Sequence, residues 1–272
     1  MWFHARADTT AHLPLIAHLE VTMKETSTTA SEKVPSITDR STFQSQMDSL
    51  RIREKQHKKT GDAIAAARRR LPMVEVDGNA SLISDRGEVA LLDAFEGRRM
   101  LIAYYFMWHH GHSAADQCEG CALYTTQVRE VSFLQSRDIT YATFCQGPYE
   151  ASARYRKFMG WELPWYSVQG KSLEALLAGR RANRMYLICY LRQGSKVFET
   201  YWTTGRGVEV VGNNYSLMDL TVYGRQEWWE DSPDGWPKPW KDDDVNNPYR
   251  IDGRPIVQWP RVRAGHSDDL GS

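Results

Sequence analysis

The chain has 272 residues, 42% of them hydrophobic and 11% aromatic, enough to bury one substantial core but not two large domains. Its 34 basic and 34 acidic side chains cancel, so no whole-chain field favours nucleic acid or an anionic membrane. Four cysteines in this length suit a reducing compartment, and no signal-peptide pattern or membrane-length apolar stretch is present, so the expectation is a soluble, cytoplasmic protein.

Residues 1–39 are rich in Thr and Ser and read as a flexible tail, with a short helix near Leu13–Val21 as the exception. Ser41-Thr42-Phe43-Gln44 has the form of a capping box, which predicts a long N-terminal helix within residues 40–71, ended by Leu71-Pro72. Its apolar Phe43, Met47, Leu50 and Ile64 call for burial, because an isolated helix gains little stability without packing. A homodimer is the favoured expectation, and a helix strapping its own domain is the alternative. Arg68-Arg69-Arg70 reads as a solvated helix end. Val74-Glu75-Val76 and Ser81–Leu92, punctuated by Asp77-Gly78-Asn79 and Asp85-Arg86-Gly87-Glu88, predict short strands in a hairpin.

Met100–Trp108 is an unbroken apolar run, as expected of a strand covered on both faces, with a buried helix the competing reading. Cys118-Glu119-Gly120-Cys121 follows, and Tyr124, Val128, Val131 and Leu134 then recur at helical spacing, predicting one amphipathic helix. Ile139–Cys145 is a second strand and Tyr149–Met159 a helix closed by Gly160. Met185–Leu191 and Val197–Trp202 form a hairpin, and Tyr215–Leu220 a closing helix. Strand, Cys-x-x-Cys, helix, strand, helix, hairpin, helix is the order of the thioredoxin fold. The predicted class is therefore α/β, a thioredoxin-like domain over residues 72–228 with a central mixed sheet flanked by helices. The additional hairpin suits the peroxiredoxin-like elaboration, and residues 229–272 form a Trp- and Pro-rich C-terminal arm.

A thiol pair at a strand-to-helix junction meets free backbone N–H groups and the positive end of the helix dipole, both of which favour thiolate. Cys118, the first of the pair, is the candidate attacking thiol, and Cys121 the resolving one. Glu119 opposes this activation. The same spacing is half of a zinc site. His109, His110 and His112, a short way upstream, leave three readings open: a Cys2His2 zinc site, one histidine tuning the thiolate, or solvated loop side chains. Trp161, Pro164 and Trp165 are candidates for a substrate groove, against a packing role. Cys145 and Cys189 read as small buried hydrophobes.

Several local sequences together resemble a known family. They are Glu54-Lys55, Ala65-Ala66-Ala67-Arg68-Arg69-Arg70-Leu71-Pro72, Tyr104-Tyr105-Phe106-Met107, Arg137-Asp138 and Met159-Gly160-Trp161-Glu162-Leu163-Pro164-Trp165, then Arg206-Gly207 and Leu220-Thr221-Val222-Tyr223-Gly224-Arg225-Gln226-Glu227. Over residues 40–228 the chain is similar to mostly bacterial thioredoxin-like proteins described as predicted dithiol-disulfide oxidoreductases. The resemblance implies exchange or reduction of disulfides on a protein or small thiol substrate, with an external thiol reductant. No cofactor beyond the redox-active disulfide is implied. His109-His110-Gly111-His112 and Glu119-Gly120 depart from the family's usual loop and central pair. Ala115 stands where a peroxidatic site wants Thr or Ser, which disfavours thiol peroxidase chemistry. Asn183-Arg184 stands where thioredoxins carry a cis-proline, before Met185, and Pro164 is the nearest substitute. The alternative function is a non-enzymatic thioredoxin-like binding protein, with or without the zinc site.

Overall fold

The computed structural model describes residues 34–237, 250–251 and 254–266. Residues 1–33 of the tail read over residues 1–39, including the short helix near Leu13–Val21, and much of the C-terminal arm lie outside the described residues.

The sheet grows from its central strand. In β4 (Met100–Phe106), Leu101, Ala103 and Tyr105 enter one buried cluster, while Tyr104 and Phe106 enter the other. Both faces are core, so the strand shows no polar alternation. It pairs in parallel with β5 (Ile139–Cys145) and antiparallel with β7 (Tyr186–Gln193), which turns at Gly194-Ser195 into β8 (Lys196–Thr204). The order β5-β4-β7-β8, with a helical crossover between the parallel strands, is the thioredoxin-like arrangement. Its termini were legible locally: α4 (Tyr149–Met159) ends at Gly160, whose φ of 66° needs a residue without a Cβ.

Four features depart from expectation. The helix read across Tyr124–Leu134 is broken: α2 (Glu119–Gln127) stops at Val128, which is extended, and a single turn, α3 (Ser132–Gln135), follows. Thr125, Thr126 and Val128 are β-branched and hold a helix weakly, and the Gln127 side chain accepts the Asn214 N–H at 2.6 Å instead of extending the turn. The stretch after Met159 holds β6 (Trp165–Ser167) and α5 (Gly170–Leu177), too short for periodicity to register. Leu173, Leu176 and Leu177 of α5 cover the cluster on the face of Leu101 and Tyr105.

Strand β1 (Val74–Val76) pairs with β8, whereas the hairpin of β2 (Ser81–Ser84) and β3 (Gly87–Ala90) pairs with β6. One short segment thus feeds opposite edges of an eight-stranded sheet, which demands strong curling. Gly78 marks the closure, since a Cβ there would lie 3.2 Å from both the Leu92 side chain and the Ser195 carbonyl.

Finally, α1 (Arg40–Arg68) is capped by Asp39, not Ser41: the Asp39 carboxylate accepts the Ser41 and Thr42 N–H groups at 2.9 and 3.0 Å. None of its 29 residues is buried, and the helix, about 44 Å long, does not strap its own domain. Phe43, Leu50 and Ile64 are 46, 42 and 48% exposed. Near its end, the Arg68 guanidinium lies over the Tyr201 ring, 5.0 Å from the centroid. Among the described residues no helix is long and apolar enough to cross a membrane.

Two substitutions measure this contrast. Phe106→Ala should cost about 3–5 kcal/mol in denaturant unfolding. Changing Phe43, Leu50 and Ile64 together to Gln should cost the domain less than about 0.5 kcal/mol each. A larger loss accompanied by a drop in solution mass would identify a second subunit as the cover.

Candidate active site

Strand β4 delivers the chain at Met107 into a loop that returns to the start of α2. Two buried glutamines give that loop its shape. The Gln117 side chain accepts the His109 N–H at 2.9 Å and donates to the His109 and His112 carbonyls at 2.9 and 3.2 Å. Gln258, from the C-terminal segment, is fully buried and donates to the Ala114 carbonyl at 2.8 Å and to the Tyr155 hydroxyl at 3.1 Å. Part of the presumed surface arm is therefore a wedge in the core beside the loop. Nothing local in its sequence marks Gln258 for that role.

Cys118 is the N-cap of α2, and its sulfur accepts the Cys121 N–H at 3.4 Å. The two cysteines lie 3.3 Å apart as free thiols. Cys118 is lowered from the ordinary 9.0 to about 7, chiefly because the Cys121 thiol donates to its thiolate. Burial opposes this, while the Cys121 and Gly120 N–H groups and the nearby His109 add to it. Cys121 moves the other way, well above its ordinary value, because it is buried and because its proton serves Cys118. The pair is thus divided into a poised thiolate and a held thiol, as a thiolate-and-resolver pair requires.

Tyr104 is the functional neighbour that sequence reasoning missed. It is fully buried, and its hydroxyl makes no hydrogen bond. The hydroxyl lies on the Cys121 side, where the Cys121 sulfur accepts the Met107 N–H at 3.4 Å. Strand alternation places Tyr104 on the same face as Phe106, but which helix residue it meets depends on how α2 packs.

His109 donates through Nδ1 to the Asp116 carbonyl at 3.0 Å, which orients its ring, and packs edge to face with His112 at 5.6 Å. His110 is exposed. Among the described residues no group of three or more His, Cys, Asp or Glu side chains could hold a metal ion, so the zinc reading finds no ligand set. The histidines instead line an open cleft of about 510 Å³ together with Trp108, Gln146 and Asn183. Gly147 lets the Trp108 indole lie against the backbone: a Cβ there would sit 2.1 Å from the ring.

The tryptophans do not line a groove. Trp161 and Trp165 are 8 and 4% exposed and stack on each other at 5.5 Å. Their indole N–H groups are satisfied inside by Thr126 and Ser152. Pro164 is half-buried and its carbonyl accepts the Thr143 N–H. Cys145 and Cys189 are pushed up to about 12 and about 11 by burial, which leaves both as inert thiols. No peptide among the described residues is cis, and the Met185 methyl lies 3.5 Å from where a Cβ on Gly120 would sit.

The rate of Cys118 alkylation should follow its thiolate, with a midpoint near pH 7, below that of an ordinary thiol. Below the midpoint the rate should fall about tenfold per pH unit, because protonation removes the nucleophile. His109→Gln should raise the midpoint, because the nearby imidazole is one of the groups that lower Cys118.

The family described as "Bacterial protein of unknown function (DUF899)" matches residues 32–244. No curated protein matches the chain in sequence. Among solved structures, a thioredoxin from Wuchereria bancrofti is 18% identical, with a TM-score of 0.35, over 52% of this chain and 90% of its own. A thioredoxin-like protein from Aeropyrum pernix is 16% identical, with a TM-score of 0.29, over 58% of this chain and 99% of its own.

Proposed function

Because the chain belongs to this bacterial family of unknown function, its activity must be argued from its own site, and we propose that it is a thiol-disulfide oxidoreductase. The observation that carries the reading is the opposite displacement of two adjacent thiols, Cys118 towards thiolate and Cys121 away from it. A purely structural cysteine pair has no need of that division.

The reaction divides between the two sulfurs. The Cys118 thiolate attacks one sulfur of a substrate disulfide and expels the other as thiolate, leaving a mixed disulfide on Cys118. Forming that bond removes the negative charge that had raised Cys121, and it also removes the acceptor that held its proton. Cys121 then loses its proton more readily, attacks the Cys118 sulfur and releases the second half of the substrate. The Met107 N–H and the Tyr104 hydroxyl are the donors available to the developing Cys121 thiolate. An external dithiol returns the enzyme disulfide to two thiols.

Replacing Cys121 by Ser should accumulate mixed disulfides through Cys118, and replacing Cys118 by Ser should abolish them; mass spectrometry of trapped adducts reads the difference. The reverse pattern would overturn the assignment. The Cys118–Cys121 disulfide should equilibrate with glutathione between roughly −270 and −120 mV, the range of dithiol catalysts. Tyr104→Phe should slow the second step about 10- to 100-fold, the worth of a hydrogen bond to a charged group, while mixed-disulfide formation keeps its rate. Single-turnover kinetics separate the two steps.

A further inference from the structure

The cleft near the thiol pair is lined by three imidazoles, His109, His110 and His112, and the Trp108 indole, together with the neutral amides of Gln146 and Asn183 and the apolar Leu173 and Ala182. No carboxylate lines it. Ala182 and Asn183 belong to the segment Arg181–Met185, which Gln146 holds in place. Its side-chain oxygen accepts the Asn183 N–H at 2.7 Å and its amide donates to the Arg184 carbonyl at 2.8 Å, so both ends of that amide are spent on the backbone. Asn183 takes a left-handed φ of 54° to make this turn.

Arg184 therefore stands between a cleft residue, Asn183, and Met185, whose methyl group reaches Gly120 of the Cys-x-x-Cys. Arg181 and Arg184 are exposed and enter no salt bridge among the described residues. Arg180, next to them, is engaged with Glu199. Two guanidinium-bearing residues outside any salt bridge thus flank Ala182 and Asn183 at the edge of a cleft that holds three imidazoles and, through His109, comes close to the attacking thiol. Such a surface attracts an anion and offers it hydrogen-bond donors.

Resting on the oxidoreductase reading above, we propose that this cleft binds the anionic part of the substrate, which is a disulfide bearing carboxylates. Its carboxylate is held between His110, on the histidine loop, and Arg184, on the facing segment, while the disulfide lies over Cys118. The Cys118 thiolate displaces one carboxylate-bearing thiolate, and Cys121 displaces the second as it closes the enzyme disulfide. A dithiol reductant supplies the two electrons that the substrate receives.

Three small disulfides of different charge test this on the full-length protein. They are dithiodipropionate, which is dianionic, hydroxyethyl disulfide, which is neutral, and cystamine, which is dicationic. Each rate of Cys118 mixed-disulfide formation is divided by the rate of the same disulfide with free dithiothreitol, which removes intrinsic reactivity. The expected order is dianion, neutral, dication, spanning at least about tenfold, and the span should shrink in about 0.5 M salt. It should also shrink in Arg184→Gln and in His110→Gln, which remove the anion's partners one at a time. Equal normalised rates, or a faster dication, overturn the cleft assignment and leave the oxidoreductase reading standing.

Suberate, the dicarboxylate that replaces both sulfurs by methylenes, keeps the two claims separable. It should shift the ring resonances of His109, His110 and His112 saturably, whereas octanediol should not. Saturable suberate binding with no reaction of Cys118 towards any disulfide would uphold the anion site and sink the redox reading. Absence of suberate binding would sink the site.

Discussion

Strand β4 is covered on both faces, and the position of every chemical group in the site follows from that burial. Tyr105, on one face, is hydrogen-bonded at 2.8 Å to Tyr190 within the first cluster. Phe106, on the other, is locked among Tyr155, Trp161 and Trp165, with Tyr104 edge-on to it in the same cluster. A strand clamped in this way cannot slip register without exchanging its two faces. Its C-terminal end therefore presents Met107 and the following loop at one fixed place, opposite the first turn of α2.

Two different kinds of force then act on the thiols. The N-terminus of α2 supplies directed N–H groups to Cys118, a local effect that any helix start provides. The interior supplies the asymmetry: full burial holds Cys121 protonated, while Cys118 at the rim keeps access to solvent and to a partner. Neither force alone separates the two sulfurs. Helix position activates both, and burial suppresses both. Only a helix whose N-cap faces out and whose third residue faces in divides them.

The loop from Met107 to Gln117 is anchored by buried Trp108 and Ala114, but its remainder is polar and histidine-rich. It is held by amide side chains, Gln117 from within and Gln258 from the distant C-terminal segment, whose hydrogen bonds are worth most where water is excluded. This arrangement joins the C-terminal segment to the geometry of the thiol pair, since the Ala114 carbonyl that Gln258 engages lies a few residues before Cys118. The long helix α1 stands apart from this network, with a polar, charged surface supported by pairs such as Lys58–Asp62 at 2.6 Å.

The sequence by itself determined what depends on neighbours along the chain. The two-sided strand at Met100–Phe106, the strand at Ile139–Cys145, the helix stopped by Gly160 and the cysteine pair at a helix start were all legible, because periodicity, glycine conformation and capping act within a few residues. Tertiary structure alone decided the rest. Trp161 and Trp165 could face solvent or core on any local rule, and helix α4 packed beside them sends them inside. The strand at Val74–Val76 and the hairpin after it look like partners in sequence, yet sheet curling sends them to opposite edges. Tyr104 meets Cys121, and Gln258 meets Ala114, through contacts between residues far apart in the chain. No spacing encodes such contacts, because they depend on which buried surfaces close against one another when the core forms.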